Sequence, residues 1–468
     1  MFGRRISLDT TLLKLAGNDY FTLRDAAQGV LVMGGIGSGK TSGSGAALAG
    51  AYLRAGMGGL VLCAKPEEVE LWRRYCRAHG RSSHLIEFDG ERHGFNFIAY
   101  ELSRLGADCI NGVIECLMRV LEIAKQVGAS GGRPGEEFWE STTRQILRSS
   151  LPVLFAATGT VRIDDLLRFV RSAPTSPEQM RDSTWQQGSF FYAMFAQCAD
   201  RLDAADGERA VSYWLHDFAR LDPKTRGNIL ISLTTTLDRF NHGWLARAFC
   251  GDTSVVPELC LQGAVILMNL PALTHNEDGI LAQQLFKYLW QRAVLTRNAL
   301  PPNQRERPVF LWADEAQYFV NVHDADFLST CRGSRACVVY LSQTLATFYA
   351  KLGGDTGRER VHHLLGNFAT RIWHNNACAE TNDWAARTIG RSLQQRGSFN
   401  ESESSSQNYG MNMGDGSNWG TNSSSGSSFG WSHGPGGNST NGGFTASRGG
   451  SVGGSDHSGR KRGDRTAG

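Results

Sequence analysis

No run in this sequence of 468 residues approaches the roughly 20 apolar residues a helix needs to span a bilayer. The N-terminus, MFGRRISLDTTLLKL, lacks the long apolar stretch of a signal peptide. The ten cysteines are scattered, with no C-x-x-C and no Cys/His grouping at zinc spacing. That pattern predicts free thiols in a reducing compartment rather than a disulfide framework or a zinc module. Charge of one sign is also missing. Lys and Arg total 48 against 45 Asp and Glu, a net charge of +3, so no global basic field announces nucleic acid. Any such contact has to come from local patches or rings. Beyond Leu393 there is no Leu or Ile at all, and Ser, Gly and Asn dominate around Tyr409, Trp419, Phe429, Trp431 and Phe444. Such a stretch cannot bury enough apolar surface to offset its ordering entropy, which predicts a disordered tail over residues 394–468. Its closing GRKRGDR is basic; the tail serves either a partner or single-stranded nucleic acid, or is a solubilising extension. Together these absences predict a cytoplasmic chain.

Against them stands one dense stretch, VLVMGGIGSGKTSG, residues 30–43. Gly34-x-x-x-x-Gly39-Lys40-Thr41 has the spacing of a phosphate-binding loop. Its glycines let successive backbone N–H groups turn towards an anion, so Gly34, Gly35, Ile36, Gly37, Ser38, Gly39, Lys40, Thr41 and Ser42 are the candidate cradle for ATP. Lys40 supplies a point charge to the β- and γ-phosphates, and the Thr41 hydroxyl a ligand for Mg2+. Residues 30–33 read as a buried strand and 46–55 as a helix, the context this motif requires.

Strand and helix alternate from there: strands at 59–66 and 84–88, a helix at 67–78. That order predicts a parallel sheet with right-handed crossovers. From about 102 to about 249 the apolar spacing turns helical, broken by ASGGRPGEE and SAPTSPEQ. This predicts an all-α insertion whose core takes Phe138, Trp139, Trp214 and Trp244, with Arg133 in the Gly-rich break a guess for a pore position. Strand signals return at 264–271, 307–316, 336–344 and 370–375, followed by a helix that Thr381 would cap. The expected architecture is α/β: a RecA-like P-loop NTPase with a mostly parallel sheet flanked by helices. Residues 1–101 and 251–393 form the nucleotide-binding part, 102–250 the all-α insertion and 394–468 the tail.

A second chemical site lies in FLWADE, four apolar residues ending in the acid pair Asp314-Glu315. Asp314 would organise Mg2+, and Glu315 would polarise the attacking water. Two adjacent carboxylates suit hydrolysis better than storage of nucleotide. Gln343, ending the next strand, either senses the γ-phosphate or bonds backbone. Arg332 and Arg335, in STCRGSRAC, are candidates to reach a neighbouring subunit's nucleotide; each has the alternative of a solvated loop. Lys65, ending the second strand, either touches phosphate or caps the sheet edge.

GGIGSGKTS, LCAKPEEVELW, FNFI, FLWADEAQYF, VVYLSQTLATFYA and LLGNFATRIWHNNACAETNDWAARTIG, with FWESTTRQILRSSLP and DLLRFVRSAPTSP of the insertion, resemble the type IV secretion coupling proteins. These are conjugative DNA-transfer ATPases of the TraG/TraD type, with a TraM-recognition-type module. The resemblance covers roughly residues 22–391. It implies a homo-oligomeric, hexameric ring that spends ATP on moving DNA, or a relaxase and other secretion substrates, into a secretion channel. Gly34, Gly39, Lys40 and Thr41 fall on the family's Walker A, Asp314 and Glu315 on its Walker B, and Gln343 on its glutamine. Arg332 and Arg335 fall where the family carries an arginine acting in trans. Members commonly carry N-terminal membrane helices; none is visible here, so docking at the inner membrane would go through a separate anchor protein. Other readings are a cargo-receptor platform, a protein-pumping secretion ATPase, or a DNA-translocating or defence ATPase outside secretion.

Overall fold

The computed structural model of the chain describes residues 7–104, 109–127, 136–321, 323–353, 356–390, 397–406 and 422–431. The chain divides into two compact units, Met1–Trp384 and Ala385–Gly468.

The first unit is built on a seven-stranded sheet. An N-terminal antiparallel pair, β1 (Thr11–Ala16) and β2 (Asp19–Thr22), precedes it. The sheet strands are β3 (Val30–Met33), β4 (Gly58–Leu62), β5 (Leu85–Phe88), β6 (Val265–Met268), β7 (Val309–Ala313), β8 (Ala336–Ser342) and β9 (Thr370–Trp373). They run in the order β5-β6-β4-β7-β8-β3-β9, and every neighbouring pair is parallel. The expected strands are all present; β4 begins one residue before its expected start and ends four before its expected end, and β6 and β7 each end three residues short. The β1–β2 hairpin goes beyond what the lead-in predicted; its turn is Gly17-Asn18, with Gly17 at φ 51°.

Strand side chains alternate between two cores, as a period of two requires. Leu31, Met33, Leu60, Leu62, Leu311 and Val338 enter one core, while Val30, Val32, Val61, Phe310, Trp312 and Val339 enter the other. Both faces of the central strands are fully covered, which is why these strands read as continuous apolar runs. One face is covered by α1 (Ala46–Arg54) and α2 (Pro66–Ala78), whose Leu48, Tyr52 and Trp72 join Phe310 and Trp312. Trp72 stacks on Phe310, with ring centroids 5.6 Å apart.

The other face carries the helical region: α3 (Phe97–Arg104), α4 (Cys109–Val127), α5 (Glu136–Thr158), α6 (Ile163–Arg171), α7 (Phe190–Cys198), α8 (Pro223–Leu237) and α9 (Gly243–Cys250). Their apolar residues, among them Val113, Leu117, Ile146, Leu166 and Trp214, form one continuous core with the sheet. Trp214 is fully buried, and its indole N–H donates to Ser149 O at 3.1 Å. Trp244 is half-buried against His275. The side chains of Phe138 and Trp139, and all of Arg133, lie outside the described residues.

Return to the sheet runs through β6 and α10 (Ala272–Leu295), broken at Asn276 (φ 51°, ψ −137°). After β7 come α11 (Asp324–Thr330), α12 (Leu345–Leu352), α13 (Gly357–Gly366) and α14 (Ala379–Ile389). Thr381 does not cap α14. The helix begins two residues earlier, and the fully buried Thr381 hydroxyl instead accepts from Leu345 N at 3.1 Å. Among the described residues no helix is long and apolar enough to cross a membrane, and the nine cysteines whose side chains are described are free.

In the second unit, β10 (Gly397–Ser406) pairs antiparallel with β11 (Asn422–Trp431), Gly397 opposite Trp431 and Ser406 opposite Asn422. Composition predicts no regular structure here; over these two segments the chain instead pairs with itself, each backbone satisfying the other's N–H and C=O groups across the ladder. The rest of 394–468 lies outside the described residues.

Candidate nucleotide site

The phosphate loop leaves the sheet at Met33, the end of β3, tied to both neighbouring strands. Gly34 N donates to Ser342 O (3.1 Å) beside β8, and Gly35 N to Asn375 O (2.9 Å) just past β9. Gly39 sits at φ 83°, a left-handed conformation that glycine adopts without steric cost, and leads into a wide π-type turn, Lys40–Gly45, ahead of α1. Gly34 has no room for a side chain: a Cβ there would lie 2.5 Å from Ser38 Oγ and 2.6 Å from His374 Cβ. His374 braces the loop from one residue beyond β9. Its Nδ1 is 3.0 Å from Ser38 O and its Nε2 2.8 Å from Ser44 Oγ. Lys40 is buried at the foot of the loop.

Asp314 and Glu315 follow β7, two strands away from β3 with β8 between. Thr41 Oγ1 donates to Asp314 Oδ2 at 2.7 Å, so the two motifs meet through the pair expected to hold Mg2+. Glu315 turns away from Asp314 by adopting φ 51°, ψ 48°. That left-handed conformation costs a non-glycine residue about 1–3 kcal/mol and persists because the side chain is pinned. Lys65 Nζ donates to Oε1 at 2.6 Å, Gln317 Nε2 to Oε2 at 2.9 Å, and Gln343 Nε2 to Oε1 and Oε2 at 3.1 and 3.3 Å. Ser342 Oγ orients Gln317 by donating to its Oε1 at 2.8 Å. Burial pushes the Glu315 carboxyl up, but these donors outweigh it and hold the group below its ordinary value. Behind it, Glu68 accepts from Ala64 N at 2.8 Å, and burial followed by the neighbouring Asp314 raises its carboxyl to about 8.

The loop fits an anionic ligand. It has a glycine cradle that a Cβ would fill, a buried lysine at its base, and a Ser38 hydroxyl that is buried without a partner. Among the described residues no group of three or more His, Cys, Asp or Glu could hold a metal ion. One carboxylate and one hydroxyl are a sparse, oxygen-only set, which suits Mg2+ held jointly with phosphates and water.

The structure therefore brings the loop residues together with Asp314, Glu315 and Gln343. Ile36 stands apart at the loop tip, 88% exposed. Arg332 and Arg335 are not brought to this site within the chain. They precede β8, at the opposite end of a seven-residue strand that rises about 3.3 Å per residue. Arg332 is exposed, while Arg335 donates to Glu306 O at 2.8 Å. Spacing gave no signal for Gln317 or His374, and it left the partner of Lys65 open.

No protein-family model matches the chain, and no curated protein matches it in sequence. Among solved structures it is similar to the bacterial conjugative coupling protein TrwBdeltaN70 in an unbound monoclinic form. Identity is 14%, the match covers 85% of this chain and 79% of that one, and the TM-score is 0.50. It is also similar to the trigonal form of TrwBdeltaN70 in complex with sulphate (16% identity, 80% and 76% covered, TM-score 0.49). A third is the plasmid coupling protein TrwB in complex with the non-hydrolysable GTP analogue GDPNP (17% identity, 80% and 76% covered, TM-score 0.49). The first of these likenesses shows a shared fold: a parallel α/β sheet of RecA-like type bearing a large helical region.

Proposed function

We propose that this chain, folded as a conjugative coupling protein is, hydrolyses ATP and uses the energy as an oligomeric motor that moves DNA, alone or with bound protein, towards a secretion apparatus. The single observation that supports hydrolysis best is the convergence of Thr41 on Asp314 beside a buried, pinned Glu315. Lys40 and the loop N–H groups would bind the β- and γ-phosphates. Mg2+, held by Thr41 and Asp314, would supply charge neutralisation on the phosphate oxygens. Glu315 would accept a proton from water as the water oxygen bonds to the γ-phosphorus; the bond from that phosphorus to the β–γ bridging oxygen breaks, leaving ADP and phosphate. Gln343, bonded to both Glu315 oxygens, would report the change to β8. DNA as cargo, a relaxase or other secretion substrate as partner, a membrane-anchor protein and a six-membered ring belong to this reading through the resemblance in sequence and the shared fold.

The test is ATP turnover by the purified chain with and without single- and double-stranded DNA. We expect DNA-stimulated hydrolysis, lost by at least 10²-fold in Lys40→Ala and in Glu315→Gln, the latter still binding nucleotide. No turnover by the wild type under any of these conditions would sink the motor reading. A receptor role that uses ATP for assembly alone would instead show cargo binding that survives Glu315→Gln.

A further inference from the structure

Glu315 is the residue assigned above to accept the proton of water, yet nothing of it is free to do so here. A carboxylate offers about four lone-pair positions. Oε1 takes Lys65, Oε2 takes Gln317, and Gln343 Nε2 is shared between the two oxygens, so three donors close round the carboxylate. The side chain is 3% exposed, which leaves no open face for water. For Glu315 to orient a water molecule, one donor has to leave.

The three donors are not equally free to go. Gln317 is buried and is itself held by Ser342. Gln343 sits on the strand end, its carbonyl accepting from Asn376 Nδ2 at 2.6 Å. Lys65 is the exposed one, with 42% of its side chain in solvent, and it reaches Glu315 on a flexible four-carbon stem from the residue that precedes α2. It also forms the shortest of the four contacts and carries the only full charge among them.

We propose that Lys65 is a positioning residue that holds Glu315 in reserve, so that turnover requires the ammonium group to give up the carboxylate. This rests on the hydrolysis reading above. No bond is made or broken in the release. The ammonium exchanges one anionic partner for water or for another anion, and Glu315 regains a lone pair on Oε1. The arrangement restrains idle hydrolysis: the base is complete, charged and close to the metal ligand, but occupied.

The test compares wild type, Lys65→Met and Lys65→Arg in steady-state ATP turnover without DNA, with binding of a fluorescent non-hydrolysable ATP analogue measured in parallel. Lys65→Met keeps the aliphatic stem and removes the charge; Lys65→Arg keeps the charge. We expect kcat to rise at least threefold in Lys65→Met and to stay at or below the wild-type value in Lys65→Arg, with KM and analogue affinity within threefold throughout. Opposite responses to Met and Arg are not what loss of a merely structural contact would give. If the wild type turns over and Lys65→Met lowers kcat, leaves it within twofold, or raises KM tenfold, the restraint is overturned while hydrolysis stands. Turnover by Lys65→Met alone would support the restraint. Silence of Lys65→Met without DNA, with the wild type turning over once DNA is added, overturns the restraint alone; silence of both with and without DNA overturns hydrolysis, and the restraint with it.

Discussion

Asp314 and Glu315 are neighbours in sequence with different partners: one carboxylate faces the Thr41 hydroxyl, the other a lysine and two glutamines. The left-handed backbone at Glu315 separates them, and no spacing rule foretells it, because a non-glycine residue at positive φ is dictated by the contacts that surround it. That Lys40, Thr41, Asp314 and Glu315 stand at strand ends facing one site was legible in sequence, since a motif fixes which chemical groups stand at a strand end. The identity of the surrounding donors was not, because Lys65, Gln317 and His374 arrive from separate strands and turns. At this scale Gly34 gives a direct test. Gly34→Ala would force a methyl group to within 2.6 Å of both Ser38 Oγ and His374 Cβ, and His374 holds the loop at two further points. We expect affinity for an ATP analogue to fall at least tenfold with the circular dichroism spectrum unchanged; affinity within twofold of wild type would contradict this account of the loop.

Among the elements, β5 is the outermost strand on its side of the sheet, paired with β6 and tied to α2 by an ion pair. Arg73 of α2 grips Glu87 of β5 through Nε–Oε1 at 2.9 Å and Nη2–Oε2 at 2.6 Å. The Arg73 guanidinium holds the Glu87 carboxyl below its ordinary value against the opposing effect of burial, with Arg92 assisting. A depressed carboxyl contributes stability above its unfolded value, about 4.3, and loses it as pH falls through the lower folded value. Glu87→Gln should therefore cost about 1 kcal/mol or less at pH 7, Arg73 being partly solvated, and the gap should close below about pH 4. Thermal unfolding across that range measures it, and a gap that does not narrow at all as pH falls below about 4 would exclude this pair as its source. Strand positions are legible in sequence because buried runs such as VLVM and VFLWA are short and continuous, while their C-terminal ends fall up to four residues short because the apolar run continues into the connection. The β1–β2 hairpin was not read, because its residues are half-exposed and only a Gly-Asn pair marks its turn. Thr381 was misplaced because a threonine at a helix start has two ways to use its hydroxyl, and tertiary contact with Leu345 decided between them.

In the whole molecule, the segment after Asp314 and Glu315 runs directly to the helical region. Gln126 Nε2 donates to Val320 O at 3.0 Å, and His323 lies against Glu122, both glutamine and glutamate on α4. Lys287 and Asp324, fully buried and paired at 2.5 Å, anchor the same segment to α10. A movement of Glu315 thus has a short physical route to α4. The arginines before β8 belong to this scale too, since neither meets the site of its own chain. Arg335 is engaged with Glu306, whereas Arg332 is exposed, so Arg332 is the better candidate to act on a neighbouring subunit. Arg332→Ala should lower ATP turnover about 10³-fold with analogue affinity retained, and mixing it with Glu315→Gln subunits should restore part of the rate. No recovery on mixing would rule out action between subunits. The two-sided sheet was legible from the alternation of strand and helix signals; the placing of β3 between β8 and β9 was not, because strand order is absent from local pattern. That order has a consequence for how the chain comes into being. Val30 lies beside Val339 on one side and Thr370 on the other, and the loop after it is fastened by Ser342, His374 and Asn375. During synthesis the nucleotide loop, which precedes both flanking strands by about 300 residues, stays without either of them until almost all of the first unit has left the ribosome. Contacts this distant in sequence form slowly. ATP therefore cannot act as an early folding template for this chain; it can stabilise only a molecule already nearly finished.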